Sequence, residues 1–254
     1  MPQIRGRVRW ADETVTITNL QADFYRGKLA ANMYFDCAAP RAADFNLRAE
    51  VTNADLHQLM VDLSSPTNRL EGTLSGDMTI TQANSADWAS WNGFGQARLR
   101  EGFLWDMPLF GIFSSVLNAV IPGLGSSPVS GGQATFTITN SVIHTDDMEI
   151  RSPAMRLAYR GTIDFKGRVE ARVEARLLRD AWVIGPLVSL VLSPLTKLFE
   201  YKVSGTLHEP QKEPLYIPKS LMFPFHPLRT LKELFIQEKP EKPEAPPTSE
   251  KRPP

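Results

Sequence analysis

The chain has 254 residues, enough for a substantial core, and its 28 Lys and Arg residues balance 28 Asp and Glu residues. Formal neutrality leaves no basic field to hold a phosphate backbone, which excludes nucleic acid as a partner class. The lone cysteine, Cys37, excludes an internal disulfide framework and a cysteine-rich zinc site, and it reads as a small apolar packing residue.

The opening stretch MPQIRGRVRWADETVTITNL lacks the apolar core of a secretory leader and reads as strand at once, Arg5, Arg7 and Arg9 alternating with Gly6, Val8 and Trp10. The expectation is either a cytosolic protein or the C-terminal part of a longer chain that begins within a sheet. Further strands are predicted up to residue 80, with Gly27 between the runs QADFYR and KLAANMYFD, and ADFNLRAEV beyond them. A helical patch is expected over NADLHQLMVDL, residues 53–63, with Asn53 as its N-cap, before RLEGTLSGDMTIT resumes the strand pattern.

A strand then passes Gly102 and gives way to a nearly uncharged run over residues 107–124. Leu109, Ile112, Phe113, Val116 and Leu117 recur there at helical spacing, with Phe110 beside them. GSSPVSGG, residues 125–132, predicts a flexible loop, and three strands follow in ATFTITN, SVIHTDDMEIRS and MRLAYRGTIDF. A second apolar run carries Trp182, Leu187, Leu190, Val191 and Leu195, is broken by Pro186 and Pro194, and is uncharged only over residues 181–196. That falls short of the ~20 residues a spanning helix needs, so two short helices on or under the sheet are expected. KVSGTLHEP returns to strand, the Pro-rich LYIPKSLMFPFHP and the amphipathic patch LRTLKELF follow, and the low-complexity tail QEKPEKPEAPPTSEKRPP is expected to be disordered. The implied organisation is an N-terminal strand region at 1–81, a main body at 82–210, a Pro-rich segment with a short amphipathic helix at 211–236, and a disordered tail at 237–254.

The most regular stretch is FKGRVEARVEARL, residues 165–177. Phe165, Val169, Ala171, Val173, Ala175 and Leu177 alternate with six charged residues. On a helix this pattern scatters charge around the whole circumference, whereas on a strand it separates an apolar face from a charged one. A thirteen-residue strand of roughly 43 Å is predicted. The stretches 15–36 and 136–165 also echo one another, each with Ile-Thr-Asn and a later aromatic-Arg-Gly, which suggests a repeated strand-turn-strand unit.

Catalytic patterns are missing. The histidines His57, His144, His208 and His226 match no metal-ligand spacing, and neither a nucleophile elbow nor a phosphate-binding glycine loop occurs. Asp146 and Asp147 are adjacent on a strand, so they face opposite ways and cannot share a proton. No enzyme, metal or cofactor is expected. Two readings of the apolar runs stay open: core helices covering one sheet face, or helices that border a greasy groove or touch a membrane.

The order of the pieces GTLSGDMTI, GQARLREGFLWDMPLFGIFSSVL, ATFTITNSVIHTDDMEIRSPAMRLAYRGTIDFKGRVEARVEARLL and VSGTLHEP resembles the AsmA-like C-terminal region, shared by AsmA, TamB and YhdP-type proteins of Gram-negative bacteria. The resemblance runs from about Leu70 to Pro210 and departs from the family at Ser141, where glycine is usual after the asparagine. It implies a mainly β fold with short helices (α+β): a long antiparallel twisted sheet forming a curved groove, capped or bordered by two short apolar helices. It also implies a non-catalytic periplasmic protein, held to the inner membrane by an N-terminal anchor absent from this chain, that conducts phospholipid or another acyl lipid and supports outer-membrane homeostasis. The alternating positions Phe165 to Leu177 are then groove candidates, and the two apolar runs are candidates for membrane or cap helices. The alternative function is a scaffold whose Pro-rich C-terminus recruits a protein partner.

Overall fold

Alternation of apolar and polar residues is satisfied over most of the chain by strands that bury one face and expose the other. The computed structural model describes residues 3–63, 69–120, 123–153, 155–177 and 197–217. Among the described residues twelve strands make one open sheet in strict sequence order, every neighbouring pair antiparallel. They are β1 (Ile4–Ala11), β2 (Thr14–Phe24), β3 (Gly27–Asp36), β4 (Asp44–Asp55), β5 (Glu71–Asn84) and β6 (Asp87–Phe103). The second half is β7 (Val129–Thr139), β8 (Val142–Arg151), β9 (Met155–Asp164), β10 (Val169–Leu177), β11 (Lys197–Gly205) and β12 (Pro210–Tyr216). Among the described residues three short α-helices, α1 (Leu56–Leu63), α2 (Pro108–Gly111) and α3 (Ser114–Val120), sit in the β4–β5 and β6–β7 connections.

Tight turns close the hairpins. Tyr25 and Arg26 (φ 45° and 63°) join β2 to β3, and Asn140 and Ser141 (φ 52° and 63°) join β7 to β8, two left-handed residues in each case as the twist of a hairpin demands. A Cβ on Gly27 would come within 2.3 Å of the Thr52 carbonyl oxygen, so only glycine fits beside β4 there. The two edges of the sheet differ. β12 contains Pro210 and Pro214, which carry no N–H, whereas β1 has no proline.

Several expectations are corrected. The strand after Asp164 starts at Val169, because Gly167 (φ 80°) and an Asp164 carboxylate that accepts from the Lys166 and Arg168 amides turn Phe165–Arg168 into a tight loop. The helix after β4 is capped by Asp55, whose Oδ1 accepts from the Gln58 amide at 3.1 Å, while Asn53 sits in a bulge at φ 54°. Residues 129–132 belong to β7, and Pro210–Tyr216 is a strand. Cys37 is exposed. The expected echo does not hold: Tyr25-Arg26-Gly27 forms a turn, but Tyr159-Arg160-Gly161 lies inside β9. The 81/82 division falls within β5, and hydrogen-bonded pairing runs unbroken across it. The tail at 237–254 and the amphipathic patch at 228–235 lie outside the described residues.

Candidate functional site

Cross-strand partners share a face, so the registers fix which side chains stand together. One row reads Val8, Ile17, Met33, Leu47, Ile80, Gly93, Ile138, Ile143, Ile163 and Val169 from β1 to β10. A parallel row reads Ala54, Leu74, Leu99, Gly132, Ile150, Leu157, Ala175 and Phe199 from β4 to β11. Both are wholly apolar. The opposite face is polar, with Arg48 beside Thr79, Asp77 beside Gln96, and Glu174 beside Glu200.

Only part of the apolar face is covered. Over β8–β11 it meets α2, α3 and the Leu104-Trp105 segment in a core that includes Phe113, Val116, Leu117, Tyr159, Phe199 and Tyr201. Phe113 stacks on Phe199 at 5.6 Å, Phe110 meets Tyr159 edge-on, and the Lys212 ammonium on β12 donates to the Ile112 carbonyl at 2.7 Å. A second cluster holds Ile80, Ala83 and Ile138 with Phe45, Trp91 and Phe165 packed against them. Neither cluster takes a described residue from β1, β2 or β3. On those strands Ile17, Leu29, Met33 and Phe35 are half-buried by their neighbours in the sheet, and Ile4, Val8 and Trp10 stand 69%, 69% and 78% exposed. Phe165, from the β9–β10 turn, reaches Trp88 and Trp91 of β6 at 5.7 Å each, across the two intervening strands.

The groove candidates on β10 are therefore redistributed. Val169 (4% exposed), Val173 (0%) and Ala175 (0%) lie in the helix-covered core, and Ala171 packs against it, which corrects the expectation that they line an open trough. β10 stands at the covered end of the sheet, so its apolar side is filled by the protein itself. Phe165 belongs to the aromatic cluster, and Leu177 ends β10 opposite Met155. Leu109, Phe110, Phe113, Val116 and Leu117 are buried and Ile112 half-buried, so these side chains pack onto the sheet as a cap. Trp182, Leu187, Leu190, Val191 and Leu195 lie outside the described residues. The signal for the uncovered face was present in Ile17, Met33 and Leu47, whose alternation is less regular than that of β10.

The polar groups hold structure. Burial pushes the Asp147 carboxyl up, but the Thr135 amide and hydroxyl, both donating to it, outweigh burial and leave it below the usual value. This secures the bulge between Thr145 and Met148. His144 pairs with Asp146 at 3.0 Å on the exposed face, not with Asp147. The Arg69 guanidinium donates to both oxygens of Asp106 and holds that carboxyl low, tying the start of β5 to the segment after β6. Glu149 is buried between Arg151 and Arg156. Among the described residues no group of acidic, His or Cys side chains is arranged to hold a metal ion, and no helix is long and apolar enough to cross a membrane.

Compared with family models, curated proteins and solved structures, the chain matches none.

Proposed function

We propose that the apolar face left uncovered over β1–β3 and continued by the apolar row toward β7 binds acyl chains, and that the protein is a non-catalytic lipid carrier of AsmA-like character working in the periplasm between two membranes. The observation that carries this reading is the unbroken apolar row from Val8 to Ile138, with no described layer lying on β1–β3. A sheet with one apolar face ordinarily buries it against a second layer, and contiguous apolar patches this wide mark interaction surfaces. Acyl chains suit the surface because they make no hydrogen bonds and can slide between equivalent rows. Each methylene shielded from water contributes about 0.8 kcal/mol before ordering costs. The small residues Ala31, Ala49, Gly76, Gly95 and Ala97 on the same face leave room above the sheet. The contact of Phe165 with Trp88 and Trp91 over two intervening strands supports a sheet that curls toward this face.

The test is expression in a Gram-negative host and extraction of co-purified lipid. Wild type is expected to carry phospholipid well above an unrelated β-protein, and Met33→Asp with Leu47→Asp to lose most of it while the helix-covered core stays folded. Lipid at background level in the wild type refutes the reading. The scaffold alternative, with recruitment through the Pro-rich C-terminus, rests on residues outside those described.

A further inference from the structure

Where α1 and the 104–110 segment come over the strands, the apolar face runs into a cavity of about 200 Å³ lined by Leu56, Leu74, Leu99, Met107, Phe110 and Met148. Its floor is set by Gly132 and Ala134 of β7, between Leu99 and Ala97 of β6 and Ile150 of β8. The polar lining residues Arg98, Gln133 and Glu149 pair with one another in the ladder one position out of phase, so their side chains belong to the polar face. We propose that this cavity receives the methyl end of one phospholipid acyl chain and makes it the terminal, tail-first binding position of the open face. The inference rests on the lipid-binding reading above.

Three features select that occupant. Among the described residues no donor or acceptor side chain points into the cavity, so a headgroup or peptide entering it would leave its own polar groups unpaired. An alkyl end has none to lose. The row Ala54, Leu74, Leu99, Gly132, Ile150 crosses the floor without a break, so a chain lying along β5–β7 can enter without crossing a polar rim. Beyond Ile150 the row is occupied by the core under α2 and α3, which closes the far side. Glycine at 132 is not required by the backbone: a Cβ there would meet nothing closer than the Glu149 carbonyl oxygen at 3.4 Å. The missing side chain makes space.

The experiment uses the full chain and phosphatidylethanolamine carrying a diazirine on one acyl chain, either at the terminal carbon or beside the ester, with cross-linked peptides mapped by mass spectrometry. The terminal probe is expected to label residues 97–110 and 132–150, and the ester-proximal probe to label β2–β4 instead. Gly132→Leu should cut terminal-probe labelling of the cavity at least tenfold, and Gly132→Ala should leave it within twofold. Labelling that is spread over β2–β4 and does not depend on probe position overturns the terminal-site inference while leaving the lipid-binding reading intact. Labelling no higher than on an unrelated β-protein overturns both. Because the probe-position comparison uses unaltered protein, it decides the matter even where Gly132→Leu fails to fold.

Discussion

Ser141 occupies a left-handed position (φ 63°) that glycine adopts without cost, so Ser141→Gly is expected to stabilise the fold by about 0.5–1 kcal/mol, read as a higher urea midpoint at unchanged m value. Acid has a defined effect as well. Asp106, Asp147 and Asp164 are each held below the ordinary aspartate value of 3.8: Asp106 by the Arg69 guanidinium, Asp147 by Thr135 against the opposing effect of burial, and Asp164 first by the Arg168 amide. A carboxyl depressed on folding contributes stability that is fully present above its unfolded value and lost as pH falls through the lower folded one. Thermal midpoints should accordingly hold steady down to about pH 4 and fall below it. Asp106→Asn should start lower and show a shallower acid limb; an acid limb as steep as the wild type's would rule out the Asp106 contribution. At this scale the sequence was partly legible. Asn140-Ser141 could be recognised as a turn because few dipeptides tolerate two left-handed residues. Asp55 rather than Asn53 became the helix cap because a bulge in β4 absorbed Asn53, and a bulge depends on the partner strand.

Among elements, the α2–α3 connection contributes most of the filling of the covered end. Phe113 is fully buried against Tyr159, Phe199 and Tyr201, so Phe113→Ala should cost about 3–5 kcal/mol, measured by chemical denaturation, with a cooperative loss of β9–β11 protection in hydrogen exchange. By contrast, the ion-pair partners Lys202 and Glu170, 3.4 Å apart on the charged face of β10 and β11, are open to water. Their removal should move stability by less than about 1 kcal/mol. Periodicity revealed the helices at 108–120 and nearly every strand. It also pointed to β10 as the groove, since perfect alternation is what a strand with one wet face shows. Alternation alone, however, records only that one face is dry. Whether helix, strand or lipid keeps it dry depends on long-range packing, here of Phe113 and Leu117 onto Val173 and Tyr201.

For the whole molecule, the measurable quantity is lipid carried per protein. Val173→Asp is expected to unfold the covered end by burying an unpaired charge, whereas Met33→Asp, on a strand outside both clusters, should leave circular dichroism and urea stability nearly unchanged yet lower co-purified phospholipid several-fold. Equal lipid content in folded Met33→Asp protein would remove the open face from the binding surface. The mainly β architecture was readable from the chain, while its division into covered and uncovered zones was not. That division depends on where the 104–120 segment lands, and no local pattern encodes a landing place.

The unlike borders of the sheet limit how copies of the molecule can join. Through Pro210 and Pro214 the β12 border offers few amide donors, so head-to-tail stacking into filaments is blocked on that flank. Of the two described edge strands β1 is the one rich in amide donors, and antiparallel contact between two copies of β1 sets Arg5, Arg7 and Arg9 against their counterparts, a repulsion that brine relieves. Concentrated solutions at high ionic strength should therefore yield pairs, not fibres.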